Sequence, residues 1–236
     1  MGAAVREEGR IMKGNLTELV FIVDRSGSMG GLETDTIGGF NATLDAHRNA
    51  EGEAVVSTVL FDNETLVLHD RLPIADVPPL TGRDYQVRGC TALLDAVGGA
   101  IKHIGRVHGY LPEEYRPAHT IVVITTDGYE NASRMYTYDQ VKRMVEQKKE
   151  QGWEFLFLGA DIDAVGEAAR IGIAQDRAVM NLADGEGQRV AYEAVASATC
   201  MLREAMPNSA PMGAEWKAPV ERDCAKRGGF RRHRRG

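Results

Sequence analysis

Two carboxylates and three hydroxyls stand out by type and spacing. They are Asp24, Ser26 and Ser28 in Asp24-Arg25-Ser26-Gly27-Ser28, Thr91 in Gly89-Cys90-Thr91-Ala92-Leu93-Leu94-Asp95, and Asp127 in Thr126-Asp127-Gly128. Each cluster alone has an ordinary explanation as a turn or a helix cap. Together they form a set of oxygen donors, without histidines and cysteines at zinc-binding spacing. Oxygen donors suit a hard divalent cation, best Mg²⁺ with its roughly six-coordinate shell, with Mn²⁺ or Ca²⁺ as alternatives.

The surrounding pattern says how such a set could converge. Strand-like and helix-like segments alternate, the signature of a mostly parallel sheet covered by helices on both faces. Leu16 to Val23 reads as a buried strand that ends on the first cluster. A helix follows, with Ile37, Phe40 and Leu44 at spacings of three and four. Ala54 to Phe61 and Thr65 to His69 are joined at Asp62-Asn63-Glu64, too tightly for a crossover, so they predict a hairpin and one antiparallel edge strand. A helix from about Thr91 carries Leu94, Val97, Ile101 and Ile104 on one face, and Thr120 to Thr126 is a buried strand ending on the third cluster. Helices over about Thr137 to Gln151, Asp163 to Ile171 and Gly187 to Glu204, with strands at Trp153 to Leu158 and Ala178 to Leu182, complete the alternation. Every cluster lies where a strand ends or a helix begins, and ligands of open α/β sheets bind outside the carboxyl ends of the strands.

The 236 residues, 43% hydrophobic and 26% charged, suit one compact domain. No apolar run approaches the roughly 20 residues of a membrane helix, and the charged first fourteen residues lack a secretory apolar core. Cys90, Cys200 and Cys224 are an odd count at wide spacing, which reads as reduced thiols and a cytoplasmic protein. Of 28 basic and 34 acidic residues, eight basic and two acidic ones fall between Lys217 and Gly236. The expected organisation is a flexible leader over 1–14, a domain over 15–206 and a disordered basic tail over 207–236.

Asp24-x-Ser26-x-Ser28, Thr91 and Asp127-Gly128, with the contexts Val-Phe-Ile-Val-Asp-x-Ser-Gly-Ser-Met and Thr-Ala-Leu-Leu-Asp-Ala, resemble the metal-ion-dependent adhesion site (MIDAS) of a von Willebrand factor type A (vWA) domain. Thr126 to Ala132 and Trp153 to Ala160 are similar to stand-alone bacterial members. The resemblance implies a Rossmann-like, doubly wound, six-stranded sheet of order 3-2-1-4-5-6 with one antiparallel edge strand. It also implies that Ser26, Ser28 and Thr91 hold the metal through hydroxyls, with Asp24 and Asp127 acting directly or through water. Where the family often has glycine before the threonine, this chain has Cys90, read as a small buried filler. Asp95 reads equally as support for the site or as a helix-end carboxylate.

The implied function is a non-enzymatic protein-interaction module, in which a partner protein's Asp or Glu completes the cation's shell. The alternatives are a Mg²⁺-dependent hydrolase or phosphotransferase at the same site, or a nucleic-acid or anionic-surface binder acting through the tail. Ser26 stands where a haloacid-dehalogenase-type phosphatase would need an acid, and Walker A, Gly-x-Ser-x-Gly and His-Glu-x-x-His patterns are missing. His103 and His108 read as structural or surface residues. Neither membrane nor nucleic acid is an expected partner, and the expected state is a monomer or weak homo-oligomer.

Overall fold

The computed structural model describes residues 16–205 and 212–228. The expected leader and the rest of the tail lie outside the described residues. Six strands form one sheet: β1 (Leu16–Asp24), β2 (Glu53–Phe61), β3 (Thr65–Pro73), β4 (His119–Thr126), β5 (Trp153–Ala160) and β6 (Ala178–Asn181), in the order β3-β2-β1-β4-β5-β6. Only β2 and β3 pair antiparallel, across the tight connection at Asp62 to Glu64. The doubly wound sheet expected from the sequence is the one observed.

Helices α1 (Glu33–Asn49), α2 (Leu93–Tyr110), α3 (Tyr138–Glu150), α4 (Ala164–Arg170), α5 (Gly185–Glu204) and α6 (Ala218–Arg227) cover the sheet. Strand β1 is buried on both faces because its side chains alternate. Leu19, Phe21 and Val23 join Phe40 and Leu44 of α1 and Val195 of α5 in one core; Val20 and Ile22 join Val97 and Ile101 of α2 and Val141 of α3 in the other. Thus α1 and α2 lie on opposite faces, and the chain departs from β1 toward β2 on one side and reaches β4 on the other. The crevice between the carboxyl ends of β1 and β4 is the topological switch point.

The C-terminal reading needs correction. The tail expected to be disordered from residue 207 instead folds over Glu215–Lys217 and α6. Trp216, Val220 and Cys224 recur at intervals of four and are buried in the same core as Phe21 and Phe40. The Trp216 indole N–H donates to Asp176 O at 2.8 Å, and Lys217 Nζ donates to Gln175 O at 3.0 Å. Gly228 ends the helix in a left-handed conformation, φ 78°, which glycine adopts without strain. A stripe of three residues is too short to register against a strongly basic average, yet it lies along one helical face and suffices to dock a short helix.

Candidate metal centre

The register of the two central strands sets the site. Val23 of β1 lies beside Thr125 of β4, so Asp24 emerges next to Thr126 at the sheet's carboxyl edge. One Asp24 carboxylate oxygen accepts the Ser26 N–H at 2.6 Å and the other accepts the Thr126 hydroxyl at 2.5 Å. Tyr85 fixes the backbone from behind, donating its hydroxyl to Asp24 O at 2.5 Å.

The three sequence-predicted hydroxyls and the second carboxylate meet in front. Thr91 Oγ1 donates to Ser26 Oγ at 3.0 Å, Ser26 Oγ lies 3.1 Å from Ser28 Oγ, and Ser28 Oγ donates to Asp127 Oδ1 at 2.5 Å. Each hydroxyl has one proton, so the direction is fixed: Thr91 to Ser26 to Ser28 to Asp127. Gly128 leaves room for this cluster. A Cβ there would sit 2.7 Å from Thr91 Oγ1 and 3.2 Å from Ser28 Oγ.

None of these hydroxyls is spent on capping. Ser26 precedes a 3₁₀ turn without a side-chain cap bond, and α2 has Ala92 rather than Thr91 at its N-cap. The free N–H groups of α2 are satisfied by the loop after Asp127 instead. Leu94 N–H donates to Glu130 Oε2 and Asp95 N–H to Ser133 Oγ, both at 3.0 Å. The stitching is reciprocal: Asp95 accepts the N–H groups of Arg134, Met135 and Tyr136 at 2.8–2.9 Å, and Asn131 Oδ1 accepts that of Thr91 at 3.0 Å. Asp95 is therefore a support for the site. Glu130, Asn131 and Ser133 were not singled out as site residues in the sequence, where only Glu130 following Asp127-Gly128 was a visible signal.

The electrostatics are those of a site short of positive charge. Burial raises the Asp24 carboxyl to about 6 from an ordinary 3.8, against the opposing hydrogen bonds of Thr126 and Ser26. Burial likewise raises Asp127, with the Ser28 hydrogen bond opposing, and the nearby charge of Asp161 raises it further. Asp161, just past the end of β5, is an acidic neighbour that sequence reading missed; its place at the next strand's carboxyl end was the available clue. Cys90, expected to be buried, is exposed. It lies in the loop between the Gly89 turn and Thr91, outside the packed core. No group of three or more His, Cys, Asp or Glu residues placed to hold a metal occurs among the described residues. A groove of about 560 Å³ between α1 and α5 shares no residue with this centre.

No protein-family model matches the chain, and no curated protein matches it. Solved structures do. The vWF domain of the type V pili tip protein Mfa5 from Porphyromonas gingivalis superposes with a TM-score of 0.59 at 10% identity, covering 83% of this chain and 99% of that one. The chain has the von Willebrand factor type A fold. A vWA protein from Catenulispora acidiphila matches with a TM-score of 0.50 at 15% identity, over 78% of this chain and 42% of the other. Proximal thread matrix protein 1 from the mussel byssus, solved with a zinc-occupied MIDAS motif, matches with a TM-score of 0.56 at 15% identity over 80% of this chain. The chain spans about half the length of that mussel protein, 47% of it. At these identities the vWA likeness is one of fold, and the chemistry rests on the residues above.

Proposed function

We propose that Asp24, Ser26, Ser28, Thr91 and Asp127 hold a divalent cation, Mg²⁺ in the first instance, and that the protein binds a partner protein whose Asp or Glu completes the shell. The observation that carries this reading is the spacing of oxygens never used for capping. Adjacent ligands of a six-coordinate Mg²⁺ at about 2.0–2.1 Å lie about 2.9 Å apart, and the Thr91–Ser26 and Ser26–Ser28 separations of 3.0 and 3.1 Å fit that edge. Two carboxylates with raised pKa values, Asp24 buried and Asp127 half-buried, supply the compensating charge. Neutral hydroxyl ligands leave the cation much of its charge, which favours an anionic oxygen from outside.

A binding role is supported over catalysis at the same site by how the carboxylates are used. Both oxygens of Asp24 already accept hydrogen bonds from Ser26 and Thr126. That leaves Asp24 poorly placed as nucleophile or general base, and no histidine belongs to the cluster. We also place the protein in the reducing cytoplasm of a bacterium, a reading that its three free cysteines support. No helix among the described residues is long and apolar enough to cross a membrane. Calorimetry of Mg²⁺ tests the reading: heat of binding to the wild type and its loss in Asp127→Ala are expected. Equal binding by Asp127→Ala and by a Ser26→Ala/Ser28→Ala double variant would overturn it. Metal-dependent turnover of a phosphoester that Asp24→Ala abolishes would put catalysis in its place.

A further inference from the structure

Arg25 occupies the position between two site residues, Asp24 and Ser26, and lines a separate groove of about 370 Å³ with Leu66, Leu68, Arg83 and Arg88. Its side chain is 8% exposed, and its Nε has no hydrogen-bond acceptor. The Asp62 carboxylate oxygen 3.0 Å away is its ion-pair partner, but that oxygen accepts instead from Arg88 Nε at 2.8 Å. Asp62 Oδ1 is taken by the Glu64 N–H at 2.7 Å. One buried carboxylate is thus divided between two guanidinium groups, and Arg25 keeps donors to spare in a place where unused donors are costly.

The other acids around the groove already have partners. Glu64 Oε2 meets Arg88 Nη2 at 2.9 Å, and Asp84 Oδ2 accepts the Thr81 hydroxyl at 2.6 Å and the Thr81 N–H at 3.1 Å. Arg83 is exposed and forms no ion pair among the described residues. The chain that lines the groove is tied to the loop of Asp24, Ser26 and Ser28: Arg88 N–H donates to Arg25 O at 2.9 Å and Gly27 N–H to Gly89 O at 3.1 Å.

We propose that this groove receives a second carboxylate of the same partner segment whose first carboxylate meets the cation, through Arg25 and Arg83, with Leu66 and Leu68 against the intervening chain. The inference rests on the cation reading above, and it narrows the partner to an extended segment with two acidic residues at a fixed separation. Forked guanidinium groups match carboxylates in geometry as well as charge.

The test is selection of displayed short peptides, each with one fixed aspartate among randomised positions, retained in Mg²⁺ and released by EDTA. Wild type should enrich a second Asp or Glu at a constant offset. Arg83→Gln should lose that preference and weaken the selected peptides about fivefold, the scale of one exposed charge pair. Arg83→Glu should enrich Lys or Arg at the same offset, while Mg²⁺ affinity measured in parallel stays near that of the wild type. Mg²⁺-dependent peptides with no offset preference, or with one that the Arg83 variants retain, would overturn the inference and leave the cation reading standing. Absence of any Mg²⁺-dependent peptide would overturn both.

Discussion

The two ends of β1 each bury a carboxylate and treat it in opposite ways. Near the amino end, Glu18 is fully buried and ion-paired, with Arg71 Nε at 2.9 Å on one oxygen and His108 Nε2 at 2.7 Å on the other. Six residues on, about 20 Å at the rise of a strand, Asp24 is equally buried but faces only a hydroxyl and a backbone N–H. The protein neutralises the first carboxylate with its own side chains. The second has only a hydroxyl and a backbone N–H in bonding contact, and on the proposed reading an external cation supplies the missing charge. A buried carboxylate marks a binding site when its surroundings are polar but uncharged, and a structural element when a guanidinium already faces it.

Breaking the amino-end pair should have the largest effect on stability. Arg71→Met leaves the buried Glu18 with the His108 contact alone and is expected to cost about 3–4 kcal/mol, read by urea unfolding, or roughly 10 °C in melting temperature. Its Mg²⁺ affinity should remain that of the wild type, and a joint loss would show that the two ends are coupled.

Next in size is the cation itself. Mg²⁺ at about a hundredfold over its Kd should stabilise the wild type by about 2.7 kcal/mol and leave Asp127→Ala unmoved in the same thermal melts.

Asp24→Asn sharpens the contrast, because removing this charge should stabilise the metal-free fold. The folded pKa of about 6 lies above the ordinary 3.8, so the folded state holds the extra proton. That contribution is full below pH 3.8 and is lost as the pH rises through 6. In EDTA at pH 7 the variant should therefore exceed the wild type by up to about 3 kcal/mol, and the gap should close on acidification toward pH 4. The wild-type profile alone would hide this. His47, held down to about 4 by burial and by Arg203, loses stability as the pH falls through an overlapping window. The difference between variant and wild type cancels His47, and a flat difference across pH 4–7 would refute the account.

The smallest effect on the fold belongs to Gly128→Ala. Its methyl group would reach Thr91 Oγ1 and Ser28 Oγ without a disallowed backbone angle. Unfolding free energy should change by no more than about 1 kcal/mol, while Mg²⁺ binding by calorimetry should fall sharply.

The strand order, the antiparallel edge and the helix positions were legible because each element's apolar period is local. The β1 run reads as a two-sided core strand, and Thr137 with Gln140 forms the capping box that opens α3 at the expected place. The α6 helix was not legible, because its case rests on three residues whose burial depends on a distant surface of α5 and β6. The five donors were legible as types at the ends of elements. That Thr91 is free of capping was not, since it depends on Glu130 and Ser133 reaching α2 from another loop.

The sequence by itself determined the periodicities, and with them a doubly wound sheet and the oxygen-donor chemistry at its carboxyl edge. The tertiary structure alone decided which buried charges are paired. Glu18 and Asp24 are both acids within the same apolar strand; the Asp24-x-Ser26-x-Ser28 pattern marks the second as an oxygen donor, but nothing local says which of the two is ion-paired. What separates them is that Arg71, far along the chain, reaches one end of β1 while no cationic side chain among the described residues pairs with the acid at the other, and long-range Coulomb partners are a property of the folded arrangement and not of local pattern.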